Sequence, residues 1–203
     1  MDAQQVSAPS PARDIVVEAL DKLRMASLLL IIATIMAAVA SFSMLGALFT
    51  GNIIAALAGS AVVIVVAIIG FILVLVSVYG YLLPSVNQFA TWKPEEFSTA
   101  RTLIKVGYIA GPIIMIIGLA TIFIVIGLGL IVIGGILLLV GEIGVIILLF
   151  KLRDAFNSTL FLVAAILAII GIFIPILDFI AWILVFIESN SVKSKVLAGT
   201  IPV

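Results

Sequence analysis

The chain has 203 residues, 65% of them hydrophobic and 10% charged, with a formal net charge of zero and a mean hydropathy of +1.50. Soluble domains average ~45–50% apolar and ~25% charged, so a soluble globular fold is excluded, and the charge balance offers nothing to nucleic acid or acidic substrates. With no cysteine and no histidine, disulfides, thiol nucleophiles, imidazole bases, haem and iron–sulfur ligation and nearly every soft-metal site are ruled out.

Residues 1–24 read as a polar tail and a short amphipathic helix. Ser7 to Ala12 is an extended stretch, and Asp14 is placed to cap a helix carrying Ile15, Val16, Val17, Ala19 and Leu20. The first apolar core begins only after Arg24, which predicts a retained span rather than a cleaved signal. That span, 25–49, carries Ala26, Ala33, Ala40 and Ala47 at seven-residue intervals. In lipid, apolar side chains gain little by leaving apolar tails, and small residues in register let helix backbones approach instead.

Thr50-Gly-Asn52 predicts a tight turn. The next span, 53–83, repeats the device with Ala56, Ser60, Ala67, Gly70 and Ser77. It exceeds the ~20 residues a crossing needs, so tilt or projection is expected. Tyr79 and Tyr81 suit an interfacial belt, and Pro84 is expected to stop the helix. Residues 84–101 are then the largest polar connection. Within it, Trp92 to Phe97 predicts an interfacial helical turn with Pro94 at its first position and Glu95 and Glu96 at the positive end of its dipole. Trp92 and Phe97 would sit among headgroups, and Ser98 or Thr99 would cap the following span.

From Leu103 to Phe150 only Lys105 and Glu142 interrupt an apolar run about twice the length of one crossing. This predicts a helical hairpin of spans 103–126 and 128–150, turning near Gly127-Leu-Gly129. Gly111 and Gly118 on one arm, and Gly127, Gly134 and Gly141 on the other, recur every seven residues and keep a small face on each helix. Glu142 lies ~12 Å inside the end of the second arm. A charged acid at that depth costs at least ~2.5 kcal/mol, so it should be protonated, paired or facing a wet cavity. Lys105, near the start of the opposite arm, and Tyr108, one turn deeper, are its candidate partners. The plainer role is a Glu that fixes helix packing.

The last apolar stretch, 159–187, carries Ala164 and Ala168 as a small-xxx-small pair. Ala164, Gly171 and Asp178 are spaced by sevens, which points Asp178 toward other helices. Gly171 to Pro175 should kink or break the helix. Residues 188–203 form a C-terminal tail. The whole reads as an all-α, polytopic transmembrane helical bundle of about five spans, or six if the last stretch turns back at Pro175 as a re-entrant hairpin. With five spans and the N-terminus cytoplasmic, Lys193 and Lys195 fall outside and the other basic residues inside; a re-entrant hairpin would bring every basic residue inside. Five spans are favoured, because each half of the hairpin would hold only ~14 residues and expose irregular backbone at depth.

Two blocks carry a family resemblance: Phe97-Ser-Thr-Ala-Arg-Thr-Leu-Ile-Lys-Val-Gly-Tyr-Ile-Ala-Gly-Pro112, and Asn157-Ser-Thr-Leu-Phe-Leu-Val-Ala-Ala-Ile-Leu with Gly171-Ile-Phe-Ile-Pro-Ile-Leu-Asp-Phe-Ile-Ala-Trp-Ile-Leu184. They resemble the archaeal domain-of-unknown-function family 973, small multi-span membrane proteins of thermoacidophilic archaea. The resemblance extends from the first span onward and implies an archaeal plasma membrane, but it brings no activity and no site residue.

The favoured function is a structural or accessory subunit of a homo-oligomeric or larger membrane assembly, because every span has a small-residue face and the loops leave little room for a catalytic domain. Its partners would be membrane lipids and either further copies or other membrane subunits, not nucleic acid. The alternative is an ion or proton channel or transporter using Glu142, in the cytoplasmic half, and Asp178, in the outer half. An intramembrane enzyme is disfavoured, since two acids at different depths make no dyad. No catalytic residue, cofactor or metal site is expected.

Overall fold

A computed structural model describes residues 11–49, 53–123 and 125–203, apart from the side chains of 47, 48 and 53–58. Ala47, Ala56, the segment before Pro11 and the Thr50-Gly-Asn52 turn therefore lie outside the described residues. Those described form helices and no strand: α1 (Pro11–Phe49), α2 (Ile53–Leu75), α3 (Leu83–Trp92), α4 (Pro94–Lys105), α5 (Gly111–Ala120), α6 (Val125–Phe156), α7 (Thr159–Gly171) and α8 (Pro175–Leu197). They supply five stretches long and apolar enough to cross a membrane, with the shorter α7 as a sixth apolar rod.

Two prolines shape the rods without ending them. A proline inside a helix has no N–H and its ring meets the carbonyl four residues back. Pro84 was expected to stop the second span, yet the rod continues to Trp92, because the chain ahead of it widens into a π segment, Val76–Leu82. There the Leu83 N–H reaches Val78 O, five residues back. A second π segment, Val106–Ala110, precedes Pro112 and joins α4 to α5 in the same way. The polar connection expected over 84–101 is consequently almost all helix, broken only at Lys93. Pro94 begins α4 with Glu95 and Glu96 in its first turn, while Ser98 and Thr99 lie within α4 and cap nothing.

Helix α1 runs without interruption from Pro11, so among the described residues no separate amphipathic helix precedes the first span. The central hairpin turns at Thr121 to Phe123, ahead of the expected Gly127-Leu-Gly129. Gly127 instead lies in the first turn of α6, packed on the Thr121 carbonyl.

The largest correction concerns the last apolar stretch. Residues 159–187 do not form one rod: α7 ends at Gly171, α8 starts at Pro175, and the two pack against each other. Ser158, at the head of α7, donates to the Glu188 carboxylate at 2.6 Å, which fixes the pair as antiparallel. The remainder of α8 then lies along the beginning of α1, where Lys193 bonds Asp21 at 2.6 Å, Arg24 bonds Asn190 at 2.9 Å and Arg13 reaches the Leu197 carbonyl. Lys193 and Lys195 therefore share an end with the N-terminal part of α1.

The tight core occupies this polar end of the bundle. Val16, Leu20 and Leu23 of α1, Val86 and Phe89 of α3, Phe97 and Ile104 of α4, Leu148 and Leu152 of α6 and Phe161 of α7 are fully buried there. Phe97, expected among headgroups, stacks on Phe89 at 5.4 Å, and Trp92 stacks on Phe156 at 5.6 Å. Ser77 and Ser85 donate to the Ala26 and Ala19 carbonyls at 2.8 and 2.7 Å, fastening the second rod to α1. Beyond this core the apolar side chains face outward, as lipid-facing residues do: Phe42, Phe71, Ile116 and Ile133 are all exposed.

Candidate functional site

The site begins with a glycine seam. Where the second π segment and α5 meet α6, a Cβ on Gly107 would collide with the Gly141 backbone, one on Gly118 would lie 2.8 Å from Ile131 N, and one on Gly134 would strike Met115. A Cβ on Gly127 would strike the Thr121 carbonyl, one on Gly111 would lie 3.2 Å from the Gly134 carbonyl, tighter than ordinary contact, and at the other end one on Gly144 would sit 2.7 Å from Ile104 N. All seven glycines are buried. Five of them, Gly111, Gly118, Gly127, Gly134 and Gly141, were legible from their spacing. Gly107 and Gly144 were not, because each lies outside the seven-residue register.

The close approach brings Tyr108 against Glu142. The Tyr108 hydroxyl donates to Glu142 Oε1 at 2.6 Å. The Tyr108 carbonyl would bond the N–H of residue 112 in an ordinary helix, but residue 112 is proline. Tyr79 supplies the missing donor: its hydroxyl reaches the Tyr108 carbonyl at 2.6 Å. Tyr79, expected in an interfacial belt, is thus part of a chain that runs from the first π segment through the second to Glu142. Lys105, the other expected partner, is exposed at the end of α4 and makes no ion pair with Glu142.

Asp178 arrives by the less favoured of the two routes the sequence offered, a chain that turns back ahead of Pro175. Its seven-residue spacing from Gly171 has no meaning along a continuous helix, because the helix breaks between them. The turn folds the two residues together instead, and a Cβ on Gly171 would lie 2.7 Å from Asp178 Cβ. Asp178 stands in the first turn of α8, where the helix dipole favours a carboxylate. Glu142 from α6 and Asp178 from α8 then line one half-open cavity of about 200 Å³, together with Leu139, Ala168, Gly171, Ile172 and Pro175. The expectation that these acids occupy different halves of the membrane is overturned. The α7–α8 hairpin carries Asp178 beside Glu142.

Chemically, the cavity sets two carboxyl groups and a phenol among aliphatic walls. The set can hold and release a proton, or hold a cation between two carboxylates. Among the described residues no group of three or more metal-ligating acidic, His or Cys side chains occurs. The remaining expected packing residues are buried: Ala26, Ala33 and Ala40 on α1, and Ala164 and Gly171 on α7. The sequence reading missed Glu188, which is buried at the base of the hairpin beside Ser158. Ser158 also caps α7 by accepting from the Phe161 N–H at 3.2 Å, so the Ser158–Glu188 pair anchors the hairpin rather than belonging to the cavity.

No curated protein and no solved structure matches the chain. A family model described as "Protein of unknown function (DUF973)" matches residues 16–203, which takes in every span, the glycine seam and both acids of the cavity. This chain, an all-helical membrane protein, is therefore a member of the DUF973 family.

Proposed function

We propose that this protein is a membrane transporter or channel that takes a proton or a small cation at Glu142 and Asp178. One observation carries the reading: two carboxyl groups line a single cavity at the tip of the α7–α8 hairpin, whose break falls within an apolar stretch of the sequence. Each ionised acid at such depth costs at least ~2.5 kcal/mol, which a purely structural bundle has no reason to bear twice. Broken helices whose ends meet near the midplane are the way many transporters bring polar groups to an ion. The orientation we favour places the N-terminus in the cytoplasm. The basic residues Lys22, Arg24, Lys93, Arg153, Lys193 and Lys195 gather at the end that holds the hairpin's base, as the positive-inside rule requires of a cytoplasmic face.

The test is flux in sealed vesicles reconstituted with the full chain, read with an internal pH dye and with a sodium- or potassium-sensitive dye. Glu142→Gln and Asp178→Asn keep the shapes of the side chains and remove their charge. Each should abolish the flux that the parent protein supports. A parent protein that moves no ion, or variants that move ions as well as the parent, would reject the reading.

A second reading is supported by the outer parts of α1 and α2. These pack on each other and leave between them an open groove of about 490 Å³ whose lining includes Ala33, Ala37, Ala40, Ala67 and Gly70. Small-residue walls are what a further helix would need for close packing. On this reading the chain is a subunit of a homo-oligomer or a larger membrane assembly. The mass of the particle after gentle extraction distinguishes a lone chain from either.

A further inference from the structure

The two outer hairpins, α1 with α2 and α5 with α6, part from each other above the polar-end core. Neither α2 nor the first π segment packs broadly on α5 or α6. A cleft of about 370 Å³ separates them, with Phe71, Leu75 and Val78 on one wall and Met115, Leu119 and Leu138 on the other. At its foot, Tyr79 and Tyr108 face each other from the two π segments, and the Tyr79 hydroxyl bonds the Tyr108 carbonyl. This bond ties the walls of the cleft together at its foot.

We propose that the paired π segments are a hinge, that the Tyr79–Tyr108 bond is its latch, and that the Tyr108–Glu142 bond ties the hinge to the acid cavity. A π turn inside an α-helix is a local change of winding, and helices bend at such turns and at prolines. Here both features occur in both rods, Pro84 following one π segment and Pro112 the other. Ser77 within the first π segment and Ser85 beyond it hold the second rod to α1, and the buried aromatic cluster holds α3 to α4 and α6. Above the hinge, α2 moves together with the part of α1 on which it packs, and that pair has little packing on α5 to break. Tyr108 belongs to both compartments: its ring lines the cleft and its hydroxyl meets Glu142. A change in what Glu142 holds thus reaches the residue whose carbonyl carries the latch. The facing acidic group on the other side of the cavity is Asp178, from α8. The coupling to Glu142 rests on the ion-handling function proposed above, whereas the hinge and latch do not.

The chain has no cysteine, so two introduced ones take spin labels without background. Labels at Phe71 and Ile116, both exposed on opposite walls, report the width of the cleft in lipid nanodiscs. Phe71 lies eight residues from Tyr79, a lever of about 12 Å, so a bend of about 20° moves it by about 4 Å. Tyr79→Phe removes only the latch and should widen the distance distribution by that amount. A control pair at Thr91 and Arg153, both exposed at the polar end, should stay unchanged. An unaltered cleft distance in Tyr79→Phe overturns the latch; movement of the control pair too means a loosened bundle and overturns the hinge. For the coupling, Glu142→Gln should shift the cleft distance in the parent and lose that effect in a Tyr108→Phe background. An equal shift in both backgrounds, or none in either, overturns the coupling. Absence of ion flux in the parent would remove the transport reading and leave the latch comparison standing.

Discussion

Replacing Gly144 by alanine tests whether the glycine seam sets the geometry of the acid cavity. A Cβ at that position would lie 2.7 Å from Ile104 N and 2.8 Å from Ile104 Cγ1, whereas ordinary van der Waals contact begins at 3.4 Å. The obstacle is backbone and cannot rotate away, so α6 and α4 must separate by about 0.7 Å. Overpacking of this kind costs about 1–3 kcal/mol. The same separation, transmitted two residues along α6, would stretch the 2.6 Å Tyr108–Glu142 bond to about 3.3 Å, beyond the usual range for O–H···O. Gly135 supplies the internal control, because a Cβ there meets nothing within 4 Å. Gly135→Ala should be neutral or gain up to about 1 kcal/mol from helix propensity. Both variants are compared by following helical circular dichroism through a titration of sodium dodecyl sulfate into mixed micelles. Equal midpoints for the two alanine variants would refute the argument that close backbone contact, rather than glycine content, holds this pair together.

Other consequences follow from the hairpin and its anchors. Ser158→Ala removes both the cap of α7 and the donor to buried Glu188, and should cost about 1–3 kcal/mol in the same titration, with Ser158→Thr recovering most of it. The fold predicts that single cysteines replacing Lys22 and Lys195 react with a membrane-impermeant maleimide from one side of sealed vesicles, and one replacing Phe123 from the other side. Labelling of positions 22 and 195 from opposite sides would mean that 159–187 crosses once after all. In the flux assay, Lys105→Gln should leave transport unchanged, since Lys105 is exposed and makes no ion pair with Glu142; loss of flux would place it in the ion path.

The solvent was legible in the composition, because a chain with so few charges can bury its helices only in lipid. The central glycine seam was legible for a related reason. Close contact in lipid depends on small residues, and small residues at a seven-residue interval leave a pattern in the one-dimensional string. Gly107 and Gly144 escaped because close approach at a π segment and at the α4 crossing follows local winding, which a fixed period cannot report. Phe97 and Trp92 were misplaced among headgroups for a similar reason. A large aromatic at a chain bend suits either an interface or a core, and only the helices beside it, α3 for Phe97 and α6 for Trp92, decide between them.

What the sequence by itself determined is therefore the membrane and the helices, both of which depend on residue type and on distance along the chain. What the tertiary structure alone decided is the meeting of Glu142 with Asp178, thirty-six positions later, and of Tyr79 with Tyr108. Those meetings depend on a break at Gly171 to Pro175 that becomes a full reversal, and on prolines that are absorbed by a change of winding instead of ending a helix. A broken helix can bend or turn back on itself. The choice is made by what the far half packs against, here the first turns of α1 through Asp21 and Arg24.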